Sequence, residues 1–227
     1  MKKRTAFIGA ILSLIPLGQP LLLKTGLVLS TTGLMISLPE KVNSESNDFY
    51  FNRAFEKGSN GDHYGAISDY TKAIKINPND DEAYYNRGIA KRNIEDYYGA
   101  ISDYTKAIKI NPKKDQAYHN RGVAKEYLKD YEGALKDYEK ATSIDPDASL
   151  GWSGVGNMKI LLEDYYAAIS ALNKAIKLNP SDPDFYINRG IAKENIGDIK
   201  GACIDSKKAV SLGDEDSENK KWINENC

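Results

Sequence analysis

Residues 81–114 read DEAYYNRGIAKRNIEDYYGAISDYTKAIKINPKK, and this stretch of 34 residues sets the pattern for most of the chain. Within it, Ala83, Tyr84, Gly88, Ala90 and Ile94 recur at helical spacing, which predicts a helix over residues 82–95 with one apolar stripe. Asp96 stands where a side-chain oxygen can cap a second helix, whose apolar positions are Tyr97, Ala100, Ile101, Tyr104, Ala107, Ile108 and Ile110. Pro112 lacks an amide hydrogen and its ring pushes Asn111 out of the α region, so the second helix ends there. The unit is a helix–turn–helix hairpin.

The same unit returns. Starting points at Asn47, Asp81, Asp115, Ser149 and Pro183 put five copies in register with no gap. The fourth place holds Tyr50, Tyr84, Tyr118, Trp152 and Tyr186, and the eighth holds Ala54, Gly88, Gly122, Gly156 and Gly190. Alanine fills the twentieth place (Ala66, Ala100, Ala134, Ala168, Ala202) and the twenty-seventh (Ala73, Ala107, Ala141, Ala175, Ala209). Proline fills the thirty-second at Pro78, Pro112, Pro146 and Pro180, then gives way to Asp214. Small residues at the eighth and twentieth places are expected to let two helix backbones approach, and the aromatic to fill the gap between hairpins. One hairpin cannot bury both its stripes, so neighbours must stack.

This pattern resembles the tetratricopeptide repeat family over residues 47–216, with five copies agreeing in phase. The chain departs from the family at the seventh place, which carries Arg or Val, and at the eleventh, which carries Lys, where Leu and Tyr are commoner. The resemblance implies an all-α fold, a right-handed α-solenoid of five 34-residue helix–turn–helix repeats (47–80, 81–114, 115–148, 149–182 and 183–216). First helices would line a concave groove and second helices the outside. After them, Asp214, Glu215, Asp216 and Glu218 precede Lys220 and Lys221, the charge order a helix dipole favours. With Trp222, Ile223 and Cys227 as an apolar edge, residues 217–227 read as a C-terminal capping helix.

Composition narrows the function. The formal net charge is −1 with charges nearly balanced, which argues against a nucleic-acid binder. The 15 tyrosines fall mostly at repeat core positions rather than on a stacking platform. The chain has two histidines, one of them (His63) standing where other copies have tyrosine, and no HExxH, CxxC or metal-spaced cluster. The run Gly151–Trp152–Ser153–Gly154–Val155–Gly156 satisfies neither a phosphate loop nor GxSxG, and falls in repeat register on a first helix. The expectation is a protein with no catalytic residues, no cofactor, no metal and no small-molecule substrate.

The N-terminal part reads differently. Met1–Lys2–Lys3–Arg4 is basic, and residues 6–38 are apolar apart from Ser, Thr, Gln and Lys24. The run exceeds the ~7–15 residues of a secretory signal core and suffices for one span of ~20 residues. A mid-membrane lysine costs about 2.5–3.5 kcal/mol, which sets Lys24 near an interface. A single anchor, a cleaved export signal ending near Val42–Asn43–Ser44, and a two-helix hairpin (with only 14 residues for its second arm) stay open, as does a cytosolic chain with an apolar N-terminus. The basic end favours the cytoplasm, so residues 1–39 read as a signal or anchor, 40–46 as a linker, and the repeats as extracytoplasmic, in a bacterial-type periplasm or lumen.

Within the repeats three comparisons matter. Residues 64–78 and 98–112 are identical over fifteen positions of second helix, whereas the matching first helices differ widely. Either the groove side diverged as a recognition surface, or a duplication drifted. Arg53, Arg87, Arg121 and Arg189 at the seventh place match Asp69, Asp103, Asp137 and Asp205 at the twenty-third. Repeat four loses both, to Val155 and Ala171, as removing a buried pair without stranding a charge requires. Each Arg is expected to pair with its own repeat's Asp; the rival reading puts the arginines in the groove. Lastly, an antiparallel cap turning near Gly213 places Cys203 about 15 Å back and Cys227 about 21 Å forward. A Cys203–Cys227 disulfide is within reach and would suit an oxidising compartment; two unpaired thiols are the alternative.

The groove recurs with asparagine at the sixth place: Asn52, Asn86, Asn120 and Asn188. In the family such an asparagine can hydrogen-bond a bound peptide, and here it could equally bridge helices. The carboxylate-clamping subset uses Lys and Asn where this chain has Phe51 and Phe55, so a clamp is not expected. With Tyr85, Ile89, His119, Val123 and Asn157, the floor suits an apolar or amphipathic segment. The expected groove residues are Asn52, Tyr85, Asn86, His119, Asn120 and Asn188. The expected function is a non-enzymatic scaffold that binds another protein's peptide or helix, with membrane contact through residues 6–38. The arrangement also resembles assembly factors of photosynthetic or envelope complexes, an analogy of fold. The alternative is a self-associating tether.

Three glycines in the first helix of repeat four weaken it by about 1 kcal/mol each relative to alanine. Amide hydrogen exchange is therefore expected to be faster there than in the first helix of repeat two, and slower exchange would contradict the assignment.

Overall fold

The structure is a computed structural model and describes residues 46–227. Among the described residues there are eleven helices and no strand. They are α1 (Asn47–Ser59), α2 (His63–Ile76), α3 (Asp81–Asn93), α4 (Tyr97–Ile110), α5 (Asp115–Tyr127) and α6 (Tyr131–Ile144). Then follow α7 (Ser149–Leu161), α8 (Tyr165–Leu178), α9 (Pro183–Asn195), α10 (Ile199–Ser211) and α11 (Ser217–Asn226). Each of α2 to α10 packs on the helix before and the helix after it, which makes the described residues a helical-repeat solenoid.

The turn inside each hairpin follows local chemistry. Its fifteenth place takes positive φ in all five repeats, at Gly61, Glu95, Lys129, Glu163 and Gly197. One left-handed residue ends a helix cleanly, and three repeats hold it without glycine. The next residue is always Asp and caps the second helix; Asp96 accepts from Gly99 N at 2.9 Å. A Cβ on Gly99 would meet Asp96 Oδ2 at 2.1 Å. Repeat four has Ala167 there, and its cap bond to Asp164 lengthens to 3.4 Å.

Successive first helices touch one another, as α1 with α3, α3 with α5 and α7 with α9. The first-helix side is therefore the inside of the curve. Between the helices of each hairpin lie the fully buried alanines Ala66, Ala100, Ala134, Ala168 and Ala202.

In three repeats the eighth-place glycine has a different reason from the one expected. A Cβ on Gly88 would meet the Tyr104 ring at 2.6 Å, one on Gly122 the Tyr138 ring at 3.0 Å, and one on Gly156 the Leu172 side chain at 2.6 Å. The vacated space holds the twenty-fourth-place side chain, not a helix backbone. At Gly190 the expected approach of helix backbones is seen: Ala202 O lies nearest its Cβ position at 3.5 Å, with the small Ser206 Oγ at 3.6 Å.

The last helix covers the end of repeat five. Trp222 is buried and its Nε1 donates to Glu194 at 3.1 Å. Cys203 of α10 and Cys227 are joined by a disulfide, with Cα atoms 5.7 Å apart.

The expected placement of the protein is corrected. No helix among the described residues is long and apolar enough to cross a membrane. The repeat helices have 13 or 14 residues, about 20 Å of rise, against a hydrocarbon core of about 30 Å. Residues 6–38, on which the anchor and the signal were read, lie outside the described residues. None of the described helices can serve as the membrane anchor.

Gly88→Ala should cost about 1–3 kcal/mol because the Tyr104 ring must move. Gly190→Ala should stabilise by up to about 1 kcal/mol through helix propensity alone. Urea unfolding of both variants is expected to give shifts of opposite sign.

Candidate functional site

Places five, nine and twelve of each first helix are spaced i, i+4, i+7 and form one stripe. Its members in α1, α3, α5 and α7 are Phe51, Phe55 and Gly58; Tyr85, Ile89 and Arg92; His119, Val123 and Glu126; Ser153, Asn157 and Ile160. At the fifth place a ring packs on the twenty-fourth-place ring of the same repeat: Phe51 on Tyr70 at 5.5 Å, Tyr85 on Tyr104 at 5.9 Å, His119 on Tyr138 at 5.3 Å. Tyr85 is therefore mostly buried, and burial pushes its pKa up to about 12. Phe55 is exposed, at 47%. Phe51, Ile89 and Val123 are half-buried.

The four asparagines do not act alike. Asn120 is buried and its amide nitrogen donates to Tyr85 Oη and Gln116 O, both at 2.9 Å. Its Oδ1 accepts from Arg92 Nη1 at 2.9 Å. It is thus a bridge between repeats two and three with its donors spent. Asn188 is buried, Asn52 is exposed, and half-buried Asn86 makes no side-chain hydrogen bond among the described residues.

The seventh-place arginines are structural, as the pairing with their own repeat's Asp required. Arg87 Nε and Nη2 donate to Asp103 at 2.8 and 2.7 Å, and Arg53, Arg121 and Arg189 grip Asp69, Asp137 and Asp205 in the same forked geometry. Lys57, Lys91, Lys125 and Lys193 from the eleventh place add a second cation to each carboxylate. The Arg53 hydrogen bond, against burial, holds the Asp69 carboxyl well below the usual range. Two further roles were not read from sequence. Each guanidinium lies 5.2–5.5 Å over the fourth-place ring of its repeat. Arg87, Arg121 and Arg189 also reach back to Thr71, Thr105 and Asn173 at the twenty-fifth place of the preceding repeat. In repeat four, Lys159 turns to Asp164 at 3.2 Å and Lys174 covers Trp152 at 3.9 Å.

The middle of the stripe is polar. Glu126 accepts from Tyr138 Oη at 2.8 Å, and burial raises its pKa. Burial first, and Arg92 second, lower the His119 pKa to about 4. On α7, Ser153 Oγ and Asn157 Oδ1 are buried without a partner. Of these, Arg92, Glu126 and Ser153 lie on the stripe but were not among the residues expected there. The signal was the twelfth place itself, which runs Gly58, Arg92, Glu126, Ile160 and Glu194. Among the described residues no cluster could hold a metal ion.

Comparison with known proteins agrees with this geometry. A family model described as "Tetratricopeptide repeat" matches residues 81–114 and 116–148, and one described as "TPR repeat" matches residues 59–93 and 156–197. No curated protein sequence matches the chain. Among solved structures, MamA residues 41 to the end from Desulfovibrio magneticus RS-1 is 24% identical with TM-score 0.69, covering 73% of this chain and 94% of that one. YrrB, titled a TPR protein with an unusual peptide-binding site, is 19% identical with TM-score 0.70, covering 81% and 94%. Pseudomonas aeruginosa PilF is 17% identical with TM-score 0.68, covering 76% and 79%. At such identities the likeness is one of fold.

His119 titrates near 4 when folded and near 6.5 when unfolded. The folded chain then binds fewer protons between these values, so stability is full above about pH 6.5 and falls as pH drops toward 4. His119→Gln is expected to recover about 3 kcal/mol of the loss at pH 4. Thermal melts of both proteins from pH 7 to 4 check this, and parallel curves would refute it.

Proposed function

This chain belongs to the tetratricopeptide repeat family, and from that premise we propose that it is a non-enzymatic scaffold whose concave face binds a peptide or helix of another protein. Repeats of this family generally mediate protein–protein interactions. One observation carries the reading for this chain: the contrast between its two faces. Residues 64–78 and 98–112, which run through the outer helices α2 and α4 and just past their ends, are identical over fifteen positions. The inner stripe changes residue by residue and keeps Phe55 exposed and Phe51, Ile89 and Val123 half-buried. Apolar surface of this kind on a concave face accepts the apolar side of a partner segment. Asn86, with its amide unspent, is the sixth-place residue suited to contact that segment's backbone, and Asn120 is not. YrrB's peptide-binding site supports the reading by analogy.

The test is selection of a random 16-residue peptide display library on the full chain. Binding of the selected peptides should fall at least ~10-fold with Phe55→Asp, the scale of a lost interface anchor. It should be unchanged by Tyr98→Ser on the outer face, where Tyr98 is 76% exposed. Peptides insensitive to Phe55→Asp, or a chain that only self-associates and enriches none, would favour the tether instead.

A further inference from the structure

Arg92 and Glu126 hold the twelfth place of successive first helices, α3 and α5, and are opposite in sign. Neither forms an ion pair among the described residues, with each other or with another group. Their neighbours behave otherwise. Arg87 and Lys91 pair with Asp103, and Arg121 and Lys125 with Asp137. The arginine at the twelfth place makes one polar contact, to Asn120 Oδ1, and leaves most of its five N–H donors unspent. The glutamate makes one, from Tyr138 Oη. Both are half-buried on the stripe that faces the inside of the curve. Both act on Tyr138: Glu126 through the hydrogen bond, Arg92 by its field. A charge held partly out of water with no counter-charge is costly. That cost is relieved when a partner brings the counter-charges.

The stripe also has a direction. Its start is apolar, at Phe51, Phe55 and Ile89; then come Arg92 and Glu126; then, on α7, the unpartnered Ser153 Oγ and Asn157 Oδ1. Resting on the binding reading above, we propose that Arg92 and Glu126 are a paired docking site for a protein segment of defined charge order. The segment carries apolar residues first, then a carboxylate that meets Arg92, then an ammonium or guanidinium that meets Glu126.

The test uses peptides selected on the full chain from the random 16-residue library, with Arg92→Gln and Glu126→Gln as variants. Glutamine at 126 keeps an oxygen for Tyr138 Oη, and thermal melts confirm that both variants fold. Selected peptides should carry one acid and one base in a fixed order. Changing the peptide acid to its amide should weaken binding to the parent chain about 10-fold or more, and have little effect on Arg92→Gln. Changing the peptide base to glutamine should do the same for the parent chain and spare Glu126→Gln. Peptides that lose binding with Phe55→Asp yet ignore both glutamine variants would overturn the charge pair and leave the groove reading intact. Failure to enrich any groove-dependent peptide would overturn both.

Discussion

In three repeats a ring or branched side chain lies against the first helix at a place where that helix carries no Cβ. The places are Gly88 under Tyr104, Gly122 under Tyr138 and Gly156 under Leu172, in three successive repeats. The twenty-fourth-place side chain is then fully buried or nearly so, and closes its hairpin. The same side chain turns its other edge toward the fifth place, so the core contact and the inner stripe share atoms, as in Tyr85 on Tyr104 and His119 on Tyr138. Groove and core are therefore coupled: the floor is set by how the hairpin closes.

Charge does the second part of the work. In four repeats one carboxylate at the twenty-third place receives a forked arginine and a lysine from the first helix. The carboxylates are buried, so the pair fixes geometry more surely than it adds stability. Three of those arginines extend to the preceding repeat, which links the units in series. Repeat four shows what the pair requires. Val155 and Ala171 replace it with apolar contact, and the orphaned lysine finds Asp164. No buried charge is left alone in any of these pairs. Against that background Arg92 and Glu126 stand out, because neither forms an ion pair among the described residues.

The sequence by itself determined the repeat, its phase, the hairpin, the capping aspartates and the arginine–aspartate match. Each of these is a local or periodic rule that recurs in four or five copies, so repetition argues against chance agreement. The apolar run at residues 6–38 was legible as a pattern but said nothing that the described helices support about where the repeats reside. What only the tertiary structure decided was the fate of single side chains. Asn86 and Asn120 occupy the same repeat position, yet one keeps its amide and the other spends it on Tyr85, because Tyr85 belongs to the neighbouring repeat. Gly88 and Gly190 are the same residue in the same place, yet a tyrosine or a serine opposite decides whether a Cβ fits. Burial and hydrogen bonding depend on what the next hairpin brings to within a few ångströms, and no periodicity along the chain encodes that distance.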